Sequence, residues 1–227
     1  MGAARGADYL EAEAAPLRLH RPGLRIVELG AGVGWLSLVL AANLPAAARV
    51  LATEQAAGHA WLQANVARNA HLPLTALRTC VCDWSAFASS GSGHARDGGS
   101  SGSSSSGGGS DADAAADAAA AELQGPWDVV LGSDLVYNEA GVRQLPRALA
   151  ALAHPETTVL YAHTKRRFEH MDGDFFAALA DAGLVWREVR EAWAPPPPPS
   201  PPAFESLFPD MRLAVFRISL AAVPVVV

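Results

Sequence analysis

The feature that most constrains the fold is a glycine-rich turn between two apolar segments. The turn spans residues 28–34 with the sequence ELGAGVG, after the mainly apolar segment 24–27 and before the apolar stretch 35–44. This order predicts a β-strand, a tight turn and an α-helix. Such a turn exposes backbone N–H groups at the start of the helix, and glycine lets a nucleotide-like ligand approach them closely. The alternative is a plain tight turn in an α/β core.

The glycine spacing distinguishes two classes of ligand. A dinucleotide-binding turn has the pattern G-x-G-x-x-G, but Gly34 comes one residue early and Trp35 stands where the third glycine would be. An acid at the strand end followed by G-x-G-x-G resembles instead the first motif of S-adenosylmethionine-dependent methyltransferases. The resemblance implies that the residues of the turn bind this cofactor, namely Glu28, Gly30, Ala31, Gly32 and Gly34.

The composition indicates one soluble globular domain. The chain has 227 residues, 50% of them hydrophobic, and its apolar runs are far shorter than the roughly 18 residues of a membrane span. A formal charge of -6 offers no basic surface for a phosphate backbone, which argues against nucleic acid as a partner. Cys80 and Cys82 are too few for a metal site, so we expect no metal and two buried thiols. We expect a monomer in the cytoplasm, with the nucleus as the alternative.

Strand and helix signals alternate along the chain, which predicts a mostly parallel sheet covered on both faces. Strands are expected at 24–27, 49–53, 74–81, 127–131, 157–163, 184–189 and 213–220. Helices are expected at 35–44, 59–69 and 175–182, and another is expected to begin near Pro146 and to run to Leu152. If the last strand pairs back beside the fifth, the sheet has seven strands and the last one is antiparallel.

Two biased segments interrupt this pattern without dividing the domain. Residues 91–117 form a Ser/Gly tract that continues into Asp/Ala, and we expect a disordered insertion there because so little apolar area is available for burial. Residues 195–202 are rich in proline and predict a stiff linker to the last strand.

Polar residues follow the second and third strands, where an open α/β sheet has its ligand crevice. Glu54 ends the second strand, and its carboxylate can accept hydrogen bonds from both hydroxyls of a ribose. Asp83 and Trp84 end the third strand and offer an acceptor for the adenine amine and an aromatic face for its ring. The alternatives are a surface acid at position 54 and a tryptophan that belongs to the core.

The fourth strand ends in the sequence GSDLVY, at residues 132–137. Asp134 stands three residues before Tyr137, directly after the strand and beneath the glycine turn, so both can approach the reacting centre from the side opposite the ribose. His163 follows the fifth strand, and we expect it to face solvent; the alternative is that it lines a substrate channel.

These motifs together resemble the seven-β-strand protein-lysine methyltransferases of family 16, the methyltransferase-like 21 group and its plant and algal relatives. The resemblance covers segments 9–11, 27–32, 52–54, 65–66, 83–84, 134–137 and 204–209. It implies the class I, Rossmann-like methyltransferase fold with S-adenosylmethionine as cofactor. It further implies cofactor contacts at Glu54, Trp84 and Ser133, and roles in substrate binding and activity for Asp134 and Tyr137.

The resemblance implies a protein-lysine N-methyltransferase that acts on a cytosolic protein such as a chaperone, an ATPase or a translation factor. The family has a segment upstream of Tyr9 with a tryptophan that packs on the cofactor, and only eight residues without tryptophan precede Tyr9 here. We therefore expect this N-terminal segment to be missing.

Three other functions remain open. The first is methylation of a small molecule or a nucleic-acid base, although base methylation commonly accompanies an Asn/Asp-Pro-Pro-Tyr motif and Leu135 and Val136 occupy its central positions here. The second is an inactive partner protein that binds the cofactor, which the missing segment favours. The third is a dehydrogenase, which the glycine spacing argues against.

Overall fold

The computed structural model describes residues 2–44, 46–47, 49–89, 121–165, 169–189 and 212–222. Within them, the strands are β1 Arg25–Leu29, β2 Arg49–Glu54, β3 Leu77–Val81, β4 Val129–Ser133, β5 Thr158–Lys165, β6 Leu184–Glu188 and β7 Arg212–Leu220. The α-helices are α1 Gly2–Ala12, α2 Trp35–Asn43, α3 Ala56–Arg68, α4 Glu139–Leu152 and α5 Glu169–Asp181, and a 3₁₀-helix spans Trp84–Ser89. The predicted insertion at 91–117 and the predicted linker at 195–202 lie outside the described residues.

The strands form one sheet in the order β3-β2-β1-β4-β5-β7-β6. The first five strands in this order pair in parallel, whereas β7 pairs antiparallel with both of its neighbours. The predicted seven-stranded, mostly parallel sheet with an antiparallel last strand is therefore confirmed. Because β1 and β4 are neighbours while the chain passes to β2 on the other side, the strand order reverses at β1, where open sheets of this type bind ligands.

The helices bury both faces of the sheet. Successive residues of β1 point into different core clusters, Ile26 into one and Val27 into the other. Strands buried on both faces need apolar side chains in nearly every position, which explains the continuous apolar runs seen in the sequence. Cys80 and Cys82 are both buried and unpaired, as predicted.

The sequence-based boundary of α4 is wrong. The helix begins at Glu139 and continues through Pro146, rather than beginning near that proline. The Asn138 side chain caps the helix by accepting a hydrogen bond from Gly141 N at 2.8 Å. A buried stripe that includes Leu145 and Leu149 packs this helix on the sheet and offsets the hydrogen bond that the proline removes.

The sequence patterns did not predict α1. This helix has only two large apolar residues, Tyr9 and Leu10, which are both buried and pack it on the sheet. In the described part of the chain, no helix combines the length and the apolar character that crossing a bilayer requires.

Candidate active site

The glycine-rich turn leads from β1 into α2 with three backbone positions in the left-handed region. Gly30, Gly32 and Gly34 have φ angles of 57°, 59° and 75°. A Cβ on Gly30 would lie 2.6 Å from a methyl carbon of Leu135, whereas a Cβ on Gly32 would meet nothing within 4 Å. The turn is therefore packed against the loop after β4 on one side and open on the other.

The open side of the turn faces a cavity of about 430 Å³ at the carboxyl ends of the parallel strands. Its volume lies in the range of small-molecule sites. Seven residues predicted from the sequence line it: Gly30, Gly32, Glu54, Trp84, Ser133, Asp134 and Tyr137. The structure thus brings the ends of β1, β2 and β4 and the start of the 3₁₀-helix to one place, as the crevice argument predicts.

Four other predicted residues do not line this cavity. Ala31 donates a backbone hydrogen bond to Thr53 O at 2.8 Å, and Gly34 donates one to Ala31 O at 2.8 Å, so both shape the turn. Asp83 is exposed, and its carboxylate accepts a hydrogen bond from Ser85 N at 2.9 Å, which caps the 3₁₀-helix.

Glu28 is the fourth of these residues, and it lies beneath the turn. Its side chain is fully buried and accepts hydrogen bonds from the backbone N–H of Ser37, at 3.0 Å, and from the Ser37 hydroxyl. Burial raises the pKa of the Glu28 carboxyl from its ordinary 4.5 to about 7, against the opposing effect of the bonds from Ser37. Glu28 therefore ties the first turn of α2 to β1.

Glu54 connects β2 to the glycine-rich turn. One carboxylate oxygen accepts a hydrogen bond from Gly32 N at 2.7 Å, and the other accepts one from Gln55 N at 2.9 Å. Gly58, one turn further on in α3, leaves room for this side chain, because a Cβ there would lie 2.7 Å from Glu54 Cγ. Each oxygen retains a lone pair that can accept a bond from a ligand hydroxyl.

Trp84 and Cys82 form an apolar wall of the cavity. Trp84 is 8% exposed and packs in the hydrophobic core, and it also lines the cavity. The two alternatives considered for this tryptophan from the sequence, a core residue and a cofactor contact, are therefore compatible. Burial raises the pKa of the Cys82 thiol to about 12, so this side chain is uncharged at neutral pH.

Asp134 lies where β4 turns away from the sheet, in the left-handed conformation with a φ of 50°. Its Oδ1 accepts hydrogen bonds from the backbone N–H of Thr164, at 3.0 Å, and from the Thr164 hydroxyl, at 2.8 Å. Its Oδ2 accepts one from Gly2 N at 3.1 Å, at the start of α1. A carboxylate has about four acceptor positions, so Oδ2 keeps one for another donor.

Six residues that line the cavity were not predicted from the sequence as site residues: Val33, Gln55, Gly58, Trp61, Cys82 and Leu135. Three of them, Gln55, Gly58 and Trp61, recur every third residue from the end of β2, which is a spacing that places side chains on one side of a helix. Once β2 is placed beside β1, this spacing would have allowed the three residues to be predicted from the sequence. Trp61 is 71% exposed and Tyr137 is 55% exposed, so the cavity opens to solvent beside two aromatic rings.

The charge of the lining is negative. Among the described residues that line the cavity, Glu54 and Asp134 are acidic and none is basic. Such a lining favours a cationic ligand over an anionic one. S-adenosylmethionine fits it, because the compound carries a sulfonium and needs an open glycine turn, a carboxylate for its ribose and an apolar wall for its adenine. Gly32, Glu54 and Trp84 supply these three features.

The family model for lysine methyltransferase, methyltransferase family 16, matches residues 3–94 and 116–182, together more than half of the chain. A search of curated proteins finds no significant match.

Solved structures are similar in fold. A mutant of MtNAS in complex with S-adenosylmethionine is 15% identical with a TM-score of 0.51, covering 94% of this chain and 61% of that chain. The mitomycin 7-O-methyltransferase MmcR is 15% identical with a TM-score of 0.50, covering 88% of this chain and 49% of that chain. The chain thus spans less than two thirds of the length of each of these two proteins, and the similarity shows the Rossmann-like methyltransferase fold alone. From the family match, the chain belongs to the lysine methyltransferase family and is an S-adenosylmethionine-dependent methyltransferase.

Proposed function

We propose that this protein transfers a methyl group from S-adenosylmethionine to the ε-amine of a lysine in another protein. The observation that carries the proposal is the acidic lining, in which Asp134 faces the same cavity as Glu54 and the glycine-rich turn. A lysine arrives as an ammonium ion, and the described lining presents carboxylates to it without a competing basic side chain. The name of the matching family agrees with this substrate class.

Glu54 and the turn are proposed to hold the cofactor, and Asp134 is proposed to hold the amine. In this arrangement, the sugar hydroxyls donate hydrogen bonds to the Glu54 carboxylate, and Gly30, Gly32 and Ser133 line the space beside it. Asp134 Oδ2 accepts a hydrogen bond from the amine with the acceptor position that Gly2 and Thr164 leave open. Asp134 and Tyr137 are thus the proposed catalytic residues, and both line the cavity.

The bound cofactor supplies an electrophilic methyl group on a positively charged sulfur. The residues of this chain align the amine with that group, because methyl transfer to an amine is an in-line displacement that depends on position. The lysine must first lose a proton, since an ammonium ion has no lone pair. The positive sulfur of the cofactor and desolvation beside the apolar wall of Trp84 and Cys82 both favour the neutral amine, against the opposing effect of the Asp134 carboxylate. The proton leaves to solvent at the open side, beside Tyr137. No separate general base is needed.

The aromatic residues at the opening are proposed to receive the polypeptide that carries the lysine. Trp61 and Tyr137 expose large parts of their rings at the cavity, whereas most large apolar side chains of the described chain are buried. A flexible lysine side chain can pass between such rings while its backbone stays outside. We propose a cytosolic protein as substrate and a monomeric enzyme; a chaperone, an ATPase or a translation factor is the class that the family resemblance implies.

The experiment that tests this function is transfer of a labelled methyl group to proteins of a cell lysate. Purified protein and S-adenosylmethionine labelled on the methyl group are added, and the labelled proteins are hydrolysed and analysed for methylated amino acids. We expect N-methyllysine, and we expect the label to be lost with Asp134→Asn and retained with Asp181→Asn, which removes an exposed acid at the end of α5. Label in small solutes or in nucleic acid, or only on other side chains, would contradict the proposal.

Binding measurements separate this function from an inactive partner protein. Calorimetry with S-adenosylmethionine should show binding for the unaltered chain in either case. Binding without transfer into any fraction of the lysate would support the inactive partner.

A further inference from the structure

A buried chain of hydrogen bonds runs from α5 to the loop that carries Asp134 and Tyr137. The Tyr161 hydroxyl accepts hydrogen bonds from the backbone N–H groups of Leu135, at 3.1 Å, and Val136, at 3.3 Å. The same hydroxyl lies 3.3 Å from His163 Nδ1, and His163 Nε2 lies 2.7 Å from Asp172 Oδ1. The prediction that His163 faces solvent is therefore wrong: the ring is 3% exposed.

The direction of these hydrogen bonds follows from the donors and acceptors available. Both lone pairs of the Tyr161 oxygen are used by the two N–H groups, so the hydroxyl proton is donated to His163 Nδ1. A neutral imidazole that accepts at Nδ1 carries its proton at Nε2, and that proton is donated to Asp172. Each acceptor therefore fixes the orientation of the group that donates to it, and the hydrogen bonds lead from the loop to the Asp172 carboxylate.

Packing holds the chain in place. Tyr161 and His163 are stacked, with ring centroids 5.4 Å apart, and the rings of Phe175, Phe176 and Phe216 surround the imidazole at 6.2 to 6.4 Å. A buried N–H group without an acceptor is costly in such an apolar environment, so the loop is held where the Tyr161 hydroxyl can serve both amides.

Strand β5 also forms hydrogen bonds with Asp134, the first residue of the loop. Ala162 O accepts a hydrogen bond from Asp134 N at 2.9 Å, and Thr164 binds the Asp134 carboxylate. Because side chains alternate across a strand, Tyr161 and Thr164 contact the loop from opposite faces of β5. Together with the carbonyl of Ala162, they hold Asp134 and the two residues after it. Among the described residues, no other side chain forms a hydrogen bond with the backbone of Leu135 or Val136.

We propose that Tyr161, oriented by His163 and Asp172, is a positioning residue for methyl transfer, holding the 134–137 loop so that Asp134 can align the amine. The role in transfer rests on the proposed function, whereas the hydrogen bonds that fix the loop stand on the geometry alone. Tyr161 does not line the cavity and acts through the loop.

The test compares Tyr161→Phe, which removes only the hydroxyl, with Thr157→Val. Thr157 is buried and directly precedes β5, at the end of the strand far from the loop. Its hydroxyl accepts from His154 N and donates to Trp127 O, so its loss removes one partly buried and one buried hydrogen bond. The first readout is amide hydrogen exchange by NMR. With Tyr161→Phe, exchange at Leu135 and Val136 should become about tenfold faster or more, whereas exchange at Asp134, bonded to Ala162, should change little.

The second readout is the rate of labelled methyl transfer into the lysate at varied S-adenosylmethionine concentration. Tyr161→Phe should lower the apparent kcat by about tenfold or more and change the apparent KM for the cofactor by less than about threefold. Thr157→Val should leave both values unchanged although it destabilises the fold. An unchanged kcat in Tyr161→Phe, or an equal loss in Thr157→Val, would overturn the positioning role.

Variants of Asp172 provide a second test at a side chain that is 15% exposed. Asp172→Ala removes the acceptor of the His163 proton and should lower kcat by several-fold, and Asp172→Asn should restore most of the rate because its amide oxygen can still accept. If the unaltered protein transfers no label at all but exchange at Leu135 and Val136 depends on the Tyr161 hydroxyl, the proposed function fails and the series of hydrogen bonds stands. If exchange at these two amides is unchanged in Tyr161→Phe, the hydrogen bonds from Tyr161 to the loop are refuted.

Discussion

The carboxylate of Glu54 accepts a hydrogen bond from the backbone N–H of Gly32, with 2.7 Å between the two heavy atoms. This bond joins the end of β2 to the glycine-rich turn and places the carboxylate beside the open face of that turn. Side chain and turn therefore form one preorganised surface, and a ligand that contacts the turn also meets the carboxylate.

Glu54→Gln should weaken binding of S-adenosylmethionine. The amide of glutamine offers one acceptor oxygen where the carboxylate offers two, and it carries no charge. Charge-assisted hydrogen bonds contribute about 1.5–3 kcal/mol, so we expect the Kd from calorimetry to rise by about ten- to a hundredfold. Glu139→Gln is the control, because it removes an equal charge from an exposed side chain in α4 and should leave the Kd unchanged. Equal affinities of Glu54→Gln and the unaltered chain would remove Glu54 from the site.

Gly58→Ala should lower the affinity of the protein for the cofactor. Alanine is favoured over glycine inside a helix by about 0.5–1 kcal/mol. The new methyl group would lie 2.7 Å from Glu54 Cγ, so the carboxylate must move. Gly173→Ala is a matched control in α5, where a Cβ meets nothing within 4 Å. Urea unfolding should show the helix-propensity gain for Gly173→Ala and a smaller gain or none for Gly58→Ala, because moving the carboxylate breaks its hydrogen bonds with Gly32 N and Gln55 N. Calorimetry should show weaker binding for Gly58→Ala alone.

The strand ends of the site were predictable from the sequence because they depend on local patterns. Apolar runs followed by an acid or a glycine turn define where β1, β2 and β4 end, and parallel strands bring those ends together. Gly30, Glu54 and Asp134 could therefore be placed before the fold was known. The sequence alone does not show whether the Glu28 side chain points toward the ligand or toward α2, because an acid before such a turn can bind a ligand or accept hydrogen bonds from the helix.

Two further outcomes depend on tertiary packing. His163 was expected outside because the predicted fifth strand ends there, but β5 continues to Lys165 and buries the imidazole among aromatic rings from other elements. The helix α1 has only two large apolar residues, and isolated helices of about 12 residues are marginal in water. Its stability comes from contacts of Tyr9 and Leu10 with the sheet, which no local pattern encodes.

Asp134→Asn should abolish transfer while sparing cofactor binding. Asparagine tolerates the left-handed backbone at this position, and its Oδ1 can still accept both hydrogen bonds from Thr164. Only the bond from Gly2 N is lost, because the amide nitrogen that replaces Oδ2 cannot accept it. The loss of charge removes the acceptor proposed for the amine, and we expect kcat to fall by about a hundredfold. The Kd for S-adenosylmethionine should stay within about threefold of its original value. Undiminished turnover would show that Asp134 does not hold the amine.

The buried Glu28 should make stability fall as the pH rises. Burial raises the pKa of this carboxyl from 4.5 to about 7, so between these pH values the folded protein holds a proton that the unfolded chain has released. The free energy of unfolding therefore decreases with pH through this window, by at most about 3 kcal/mol for this group, and the loss is complete above it.

Glu28→Gln removes that titration while keeping an oxygen that can accept from Ser37. Relative to the unaltered chain, the variant should gain stability between about pH 5 and about pH 8, as measured by urea unfolding at both values. Glu156→Gln, at an exposed acid before β5, should show no such gain. A stability difference between Glu28→Gln and the unaltered chain that is the same at both pH values would mean that Glu28 is ionised throughout, and that its bonds with Ser37 outweigh the cost of burial.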